Sequence, residues 1–193
     1  MLIKTLKFMC LLPWLNACAQ PQGVAAPPAY VSEAPLPEGW PQPGPYNRVT
    51  EKTYPAYRAA FTTGGGQTGS FWTLFLHIKR KDIPMTAPVE MAMNDDDRGL
   101  QRAEMAFLYQ NTGVGQTGPE GRTVEVKDVP AGKVLNYAWQ GPDSKANLDQ
   151  ARAALDAELA KRGIKDARFR LLGYNGPGTP RAKSTWELQA ILP

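Results

Sequence analysis

Lys52-Thr53-Tyr54-Pro55-Ala56-Tyr57-Arg58-Ala59-Ala60 is the stretch that decides the fold, because a counterpart follows it 75 positions later, Lys127-Asp128-Val129-Pro130-Ala131-Gly132-Lys133-Val134-Leu135. Both stretches predict a strand, a Pro-Ala turn or kink, and a second strand. Each is followed by a loop, a helical pattern and two more strand patterns. A repeated order of elements indicates duplication, so we predict that residues 48–193 contain two copies of one unit.

Apolar spacing predicts the first helix over residues 70–80. Its apolar face follows the i, i+3, i+4, i+7 spacing and consists of Phe71, Leu74, Phe75 and Ile78. Ser70 is a suitable N-cap residue after the glycine-rich stretch 64–69. We therefore expect this helix to cover the sheet with that face.

The second helix is predicted over residues 145–162, and Gly163 suits the position just after its end. Its buried stripe consists of four apolar residues, Leu148, Ala151, Leu155 and Leu159. Strand patterns occupy four further segments, residues 104–109, 124–129, 168–174 and 185–192. Two helices among several strands predict an α+β domain.

Residues 1–17 have the features of a bacterial export signal. A positive start, with Lys4 and Lys7, precedes an apolar run over 8–15 that is too short to span a bilayer. The end of the signal, Leu15-Asn16-Ala17-Cys18, resembles a lipobox, in which the cysteine is acylated and becomes the mature N-terminus. We predict lipidation at Cys18; the alternative is an ordinary cleaved signal followed by a chance cysteine.

The residues around Cys18 predict a location and a tether. Cys10 lies within the signal, so the mature chain has no second thiol for a disulfide. Ala19 stands where Asp commonly retains lipoproteins in the inner membrane, which favours the periplasmic face of the outer membrane. Residues 18–47 hold eight prolines and predict a semi-stiff tether with a reach of at most about 90 Å.

Composition and motifs exclude several functions. Residues 48–193 carry 20 basic and 16 acidic side chains, an excess too small to indicate nucleic-acid binding. One histidine and no Gly-x-Ser-x-Gly leave no Ser–His–Asp arrangement. Residues 64–70 lack the Gly-Lys-Ser/Thr of a phosphate loop, residues 95–97 lack EF-hand spacing, and there is no Cys/His cluster for zinc. We predict no catalytic residue and no metal site.

The stretch Ile83-Pro84-Met85-Thr86-Ala87-Pro88-Val89 resembles the central signature of the SOUL (haem-binding-protein) family. Residues 51–60 are similar to the family's first strand and 71–78 to its first helix. Leu172-Gly173-Tyr174-Asn175-Gly176-Pro177-Gly178-Thr179-Pro180 is similar to its Tyr-Asn-Pro loop, and Glu187 stands in its last strand. The resemblance implies duplicated βαββ units that form a twisted, partly closed antiparallel sheet or barrel with two flanking helices.

The resemblance also implies a noncovalent binder of haem, a related tetrapyrrole or another hydrophobic small molecule. Such a ligand needs an apolar wall and cations for its carboxylates. The first helix with its basic end, together with the Tyr-Asn-Pro loop, offers both. The candidate ligand-binding residues are Phe71, Leu74, Phe75, His77, Ile78, Lys79, Arg80, Met85, Arg181 and Lys183.

Each candidate has a structural alternative. The apolar residues of the first helix can form core instead of a pocket wall, and Lys79 and Arg80 can be a solvated helix end favoured by the helix dipole. Met85 can fill the core or ligate iron. His77 lies near the polar side of the helix, where it can coordinate iron from a rim or be an ordinary surface histidine.

Two functions therefore stay open. The first is a non-enzymatic protein of the cell envelope that carries a hydrophobic small molecule and is attached to the membrane by its N-terminal lipid. The alternative is a module that binds another envelope protein and holds no cofactor.

Overall fold

The computed structural model describes residues 30–63 and 67–193, the side chain of Gln67 apart. The predicted signal at 1–17, the lipidation of Cys18 and the tether up to residue 29 lie outside the described residues. In the described part of the chain, no helix is long and apolar enough to cross a bilayer.

Strands and helices follow one another in two similar halves. The first half holds β1 (Val49–Tyr54), β2 (Tyr57–Thr62), α1 (Gln67–Arg80), β3 (Val89–Asp96) and β4 (Gly99–Leu108). The short strand β5 (Gly118–Glu120) leads to the second half. That half holds β6 (Val124–Val129), β7 (Gly132–Gln140), α2 (Lys145–Lys161), β8 (Arg168–Gly173) and β9 (Thr185–Ile191). The predicted α+β class is confirmed.

The pairing of the strands confirms the duplication. All the strands form one antiparallel sheet in the order β1-β7-β9-β8-β3-β4-β2-β6-β5, and this sheet is open. The first strand of each half pairs with the second strand of the other half: β1 pairs with β7, and β6 pairs with β2. In β1–β7, Tyr54 faces Gly132. The residue 75 positions after Tyr54 is Val129 and the residue 75 positions before Gly132 is Tyr57, and these two face each other in β2–β6. All six residue pairs of β1–β7 recur in β2–β6 at this offset.

Both helices cover one face of the sheet. α1 packs on β2, β4 and β6, and α2 packs on β1, β7 and β9. Their buried residues Leu74, Ile78, Leu155 and Leu159 belong to the larger hydrophobic core. The helices therefore lie on the two flanks of the central strand pair, β3 and β8.

The ends of these elements follow from local chemistry. The Oγ of Ser144 accepts a hydrogen bond from the backbone N–H of Asn147 and caps α2, and Gly163 follows that helix with a left-handed φ of 66°. α1 starts at Gln67, so Ser70 lies inside the helix, where it is buried, and is not the N-cap that the sequence predicts. β4 starts before residue 104, because its residues 99–102 pair with residues 93–96 of β3; the register then shifts between Met91 and Met93.

Residues 30–47, which we call the strap, cover the opposite face of the sheet. Trp40 is buried there, with ring centroids 4.6 Å from Tyr54 and 5.2 Å from Tyr57. The backbone N–H of Gly44 donates to the buried carboxylate of Glu187 at 2.9 Å. This part of the predicted tether thus closes a second, smaller core.

A buried ion pair lies beneath the strap. Arg170 donates to Glu90 at 3.1 Å, to the Tyr57 hydroxyl at 2.8 Å and to Gln189 at 2.8 Å. Burial lowers the pKa of Arg170, but Glu90 and the neighbouring tyrosines outweigh burial and raise it. Because its partners are all within hydrogen-bond distance, the charge is tolerated inside the core.

Candidate ligand-binding site

A cavity of about 640 Å³ lies over one end of the central pair β3–β8. Its wall comes from the start of α1, residues 85–91, β4, the turn before α2 and residues 173–186. The strap reaches it through Glu33 and Ala34. Small-molecule pockets in proteins hold roughly 300–1,000 Å³, so this cavity has the size of a ligand site.

The wall of the cavity is mostly apolar. Phe71 of α1 is fixed there by an edge contact with Phe107 at 5.3 Å and by stacking on Phe75 at 6.2 Å. The larger apolar lining residues are Phe71, Met85, Val89, Met91, Met105 and Trp186. A wall of aromatic rings and flexible thioethers suits a flat apolar guest.

Trp186 is held from two directions. A Cβ at its cross-strand neighbour Gly173 would lie 2.7 Å from the indole ring, so only glycine leaves the ring this position. The guanidinium of Arg102 lies 5.8 Å from the ring and pairs with Asp143 at 2.6 Å. The indole Nε1 is buried and has no hydrogen-bond partner among the described residues. Buried donors are rarely left unpaired, so this nitrogen is an exception to the usual pairing.

The loop between β8 and β9 bounds the cavity and is fastened to the strap. Glu33 accepts from the backbone N–H of Gly176 at 2.6 Å and from the hydroxyl of Thr179. The side-chain amide of Asn175 donates to the carbonyl of Val31 at 2.8 Å. The strap therefore sets the position of this loop.

The SOUL-like signature, residues 83–89, is fastened on both sides. The hydroxyl of Thr86 donates to the carbonyl of Leu108 in β4 at 2.6 Å. The backbone N–H of Ala87 donates to the carbonyl of Pro35 in the strap at 3.0 Å. These bonds hold the signature between the sheet and the strap as one wall of the cavity.

Three of the predicted ligand-binding residues, Phe71, Met85 and Arg181, line the cavity. Arg181 is exposed and supplies a cation at the mouth. Leu74 and Ile78 are buried in the core beneath α1. For these two residues the structure agrees with the alternative that the helix face forms core.

The remaining predicted residues lie outside the cavity lining. Phe75 is half-buried against the core, and Lys79, Arg80 and Lys183 are exposed. The basic end of α1 is therefore separate from the cavity wall. Among the predicted cations Lys79, Arg80, Arg181 and Lys183, Arg181 is the one that lines the cavity.

His77 is buried, whereas the helical pattern predicts it near the polar side of α1. Its Nε2 lies 2.8 Å from the hydroxyl of Tyr109. Burial lowers the pKa of His77 and raises the pKa of Tyr109 to about 12. Chain beyond β4 covers that side of the helix: a Cβ on Gly115 would lie 3.3 Å from the Tyr109 ring.

Three methionines, Met85, Met91 and Met105, are the residues with a soft ligand atom among those that line the cavity. A thioether can serve as an axial ligand of haem iron, whereas His77 lies outside the lining. Within the described ranges, no three His, Cys, Asp or Glu side chains come together as a metal site. The residues present thus fit an apolar macrocycle, and methionine is the residue type among them that can ligate its iron.

Sequence patterns do not identify Trp186, Gly173 and Glu33 as site residues. Alternation predicts Trp186 only as a strand residue, and Glu33 stands in the predicted tether. Gly173 lies in the loop that resembles the family's, but its role depends on which residue faces it across the strands. These residues could be identified only from the register between strands that are distant in sequence, and local sequence patterns do not give that register.

The fold and the cavity define a class of small α+β domains in which two copies of one unit share an antiparallel sheet. The chain belongs to the SOUL family: the family described as SOUL heme-binding protein matches residues 42–187. No curated protein matches the chain.

Several solved structures share the fold at low sequence identity. An uncharacterized conserved protein from Listeria innocua has a TM-score of 0.57 and 12% identity, covering 77% of this chain and 94% of that one. The C-terminal domain of EcmrR has a TM-score of 0.55 and 15% identity, covering 75% and 96%. In the EcmrR–DNA complex the corresponding shares are 74% and 56%, at a TM-score of 0.55 and 13% identity. These likenesses show the fold alone.

Proposed function

We propose that the domain binds haem or a related flat, apolar molecule noncovalently in the cavity beneath Trp186, and that it is not an enzyme. The observation that carries this proposal is the apolar wall of the cavity in a chain of the SOUL family. The wall removes apolar surface from water on binding, which is the main favourable contribution for such a guest.

Each part of the site has its own task in this proposal. Phe71 and Trp186 contact the faces of the guest. Arg181 at the mouth binds a carboxylate. A bound haem would bring the redox and ligand-binding chemistry of its iron, with Met85, Met91 or Met105 as the protein ligand on this wall.

The test is a titration of the chain that begins at Ala19, which contains every described residue. Haemin should give a saturable shift of its Soret band, and metal-free protoporphyrin should bind too because the apolar wall contributes most. Arg181→Ala should weaken both ligands about twofold to fivefold, as expected of a partly exposed ion pair. Lys183→Ala is the matched control, since it removes a cation two residues away that does not line the cavity.

The outcomes separate the two parts of the proposal. If neither ligand binds or raises the melting temperature, the cavity is not a tetrapyrrole site. If both bind and Met85→Leu, Met91→Leu and Met105→Leu each leave the haemin spectrum unchanged, the guest is held without an axial thioether.

We further propose that the protein is exported and anchored through acylated Cys18 to the periplasmic face of the outer membrane. The sequence of residues 1–19 supports this location. The mass of the mature N-terminal peptide from the native envelope tests it, with Cys18→Ser as the variant. An unmodified N-terminus downstream of residue 18 would contradict the anchor.

A further inference from the structure

α1 carries an unusual exposed surface. Trp72 and Leu76 are each 55% exposed, and the only other exposed large hydrophobic residue in the described part of the chain is Val31. Exposed apolar residues that cluster on one element mark interaction sites, whereas single ones are normal. Two of the three lie on one helix, four positions apart, and so on the same side of it.

The exposed side chains form one apolar surface that continues to the cavity. The Trp72 ring lies 5.7 Å from Phe75 and 5.8 Å from Phe71 in edge contacts. Phe71 also lines the cavity. Phe71 is therefore shared between the outer surface of α1 and the cavity wall.

Cations border this surface at the C-terminal end of α1. Lys79 and Arg80 are exposed, and neither forms a salt bridge within residues 30–63 and 67–193. The ammonium of Lys79 lies 6.0 Å from the Phe75 ring, whereas the next cation, Lys81, pairs with Glu120 at 2.9 Å. The apolar stripe thus ends in two exposed cations that form no salt bridge within these residues, although Arg80 lies close enough to Glu120 to help lower the pKa of that carboxyl.

We propose that this face of α1, formed by Trp72, Phe75, Leu76, Lys79 and Arg80, docks in the plane of an anionic bilayer surface. Tryptophan and leucine enter the headgroup region, and the two cations contact lipid phosphates. Its charge suits this occupant, because the two exposed side chains that extend the apolar stripe are both positive and form no salt bridge among the described residues.

The proposed lipid anchor at Cys18 would keep the domain close to a bilayer, and the inference rests on that proposed location in the envelope. Only eleven residues lie between Cys18 and Tyr30, the first described residue, so the twelve steps from one to the other span at most about 43 Å. Docking through α1 would place Phe71 and the cavity beside the bilayer. An apolar guest could then pass between lipid and cavity with little exposure to water.

The experiment uses the chain from Ala19, which lacks the lipid acceptor. Vesicles of phosphatidylethanolamine with phosphatidylglycerol should bind it, with a blue shift of tryptophan emission and quenching by brominated lipid, whereas phosphatidylcholine vesicles should bind it less. Trp72 is the exposed indole among the described residues, whereas Trp186 is half-buried at the cavity, so most of the signal should disappear in Trp72→Phe.

Paired variants identify the face. Trp72→Ser with Leu76→Ser should lower vesicle binding at least about tenfold, and Lys79→Ala with Arg80→Ala about tenfold with loss of the lipid preference. Lys165→Ala with Arg168→Ala, an equal change of charge in the turn after α2 and at the start of β8, should change binding less than about twofold.

Two results would overturn the proposal: vesicle binding that is absent or equal in all these proteins, or α1 variants that instead lose a co-purifying envelope protein. Haemin titration without vesicles should be the same in every variant, because none of the changed side chains lines the cavity. Failure of the membrane contact and failure of the ligand site are therefore distinguishable.

Discussion

Gly173 and Trp186 face each other across β8 and β9, and the absence of a side chain on the first gives the ring of the second its place at the cavity. A methyl group on Gly173 would lie 2.7 Å from the ring and 3.2 and 3.3 Å from two further ring atoms. The indole would have to move, and with it one wall of the proposed site.

Gly173→Ala should therefore lower the free energy of unfolding by about 1–3 kcal/mol, as overpacking does, and weaken haemin binding. Urea denaturation and haemin titration measure the two effects. Gly132→Ala is the control: a Cβ there meets nothing within 4 Å, so stability should stay within about 0.5 kcal/mol. Equal behaviour of the two variants would contradict the role given to Gly173.

Glu33→Ala should loosen the loop between β8 and β9. The variant removes the acceptor of the Gly176 N–H and of the Thr179 hydroxyl. Hydrogen exchange at the Gly176 amide should accelerate about tenfold or more, the effect of one charge-assisted hydrogen bond. Glu38→Ala removes another exposed carboxylate of the strap and should leave that amide unchanged. Unchanged exchange in both variants would mean that the strap does not hold the loop.

Arg170→Met should be the most destabilising of these changes, by about 3–5 kcal/mol, because it leaves the buried carboxylate of Glu90 without its cation. Arg170→Met combined with Glu90→Met should recover much of that loss, since both charges are then gone. Lys145→Ala breaks an exposed ion pair with Asp149 and should change stability by less than about 1 kcal/mol. Urea midpoints of the four proteins test the set, and a double variant no better than the single one would contradict it.

His77 should make stability depend on pH near neutrality. Burial holds its folded pKa below the ordinary value of 6.5, so below that pH the unfolded chain binds the proton more readily than the folded one. Stability should therefore be full above about pH 7 and fall as the pH drops toward about 5. His77→Gln, which can still hydrogen-bond the Tyr109 hydroxyl, should flatten the profile in this window. A wild-type profile that is already flat there would show that His77 does not titrate as inferred.

Much of the fold can be predicted from local patterns of the sequence. The two Pro-Ala stretches and the helical spacing of residues 71–78 and 148–159 depend on neighbours within a few positions, and the observed elements match them closely. The 75-residue offset even predicts which strands are equivalent, because duplicated sequences make duplicated strands. What the sequence determined by itself is therefore the order of elements and their division into two similar halves.

Only the tertiary structure decided where the cavity lies and which residues reach it. Helical spacing tells which residues share a face, but not what other chain covers the remaining faces, so His77 is buried while Trp72 is exposed. The wall joins Glu33, Phe71 and Trp186, residues from the strap, α1 and β9. Contacts over such distances depend on the register of the whole sheet and the packing of the strap, and no local pattern encodes either.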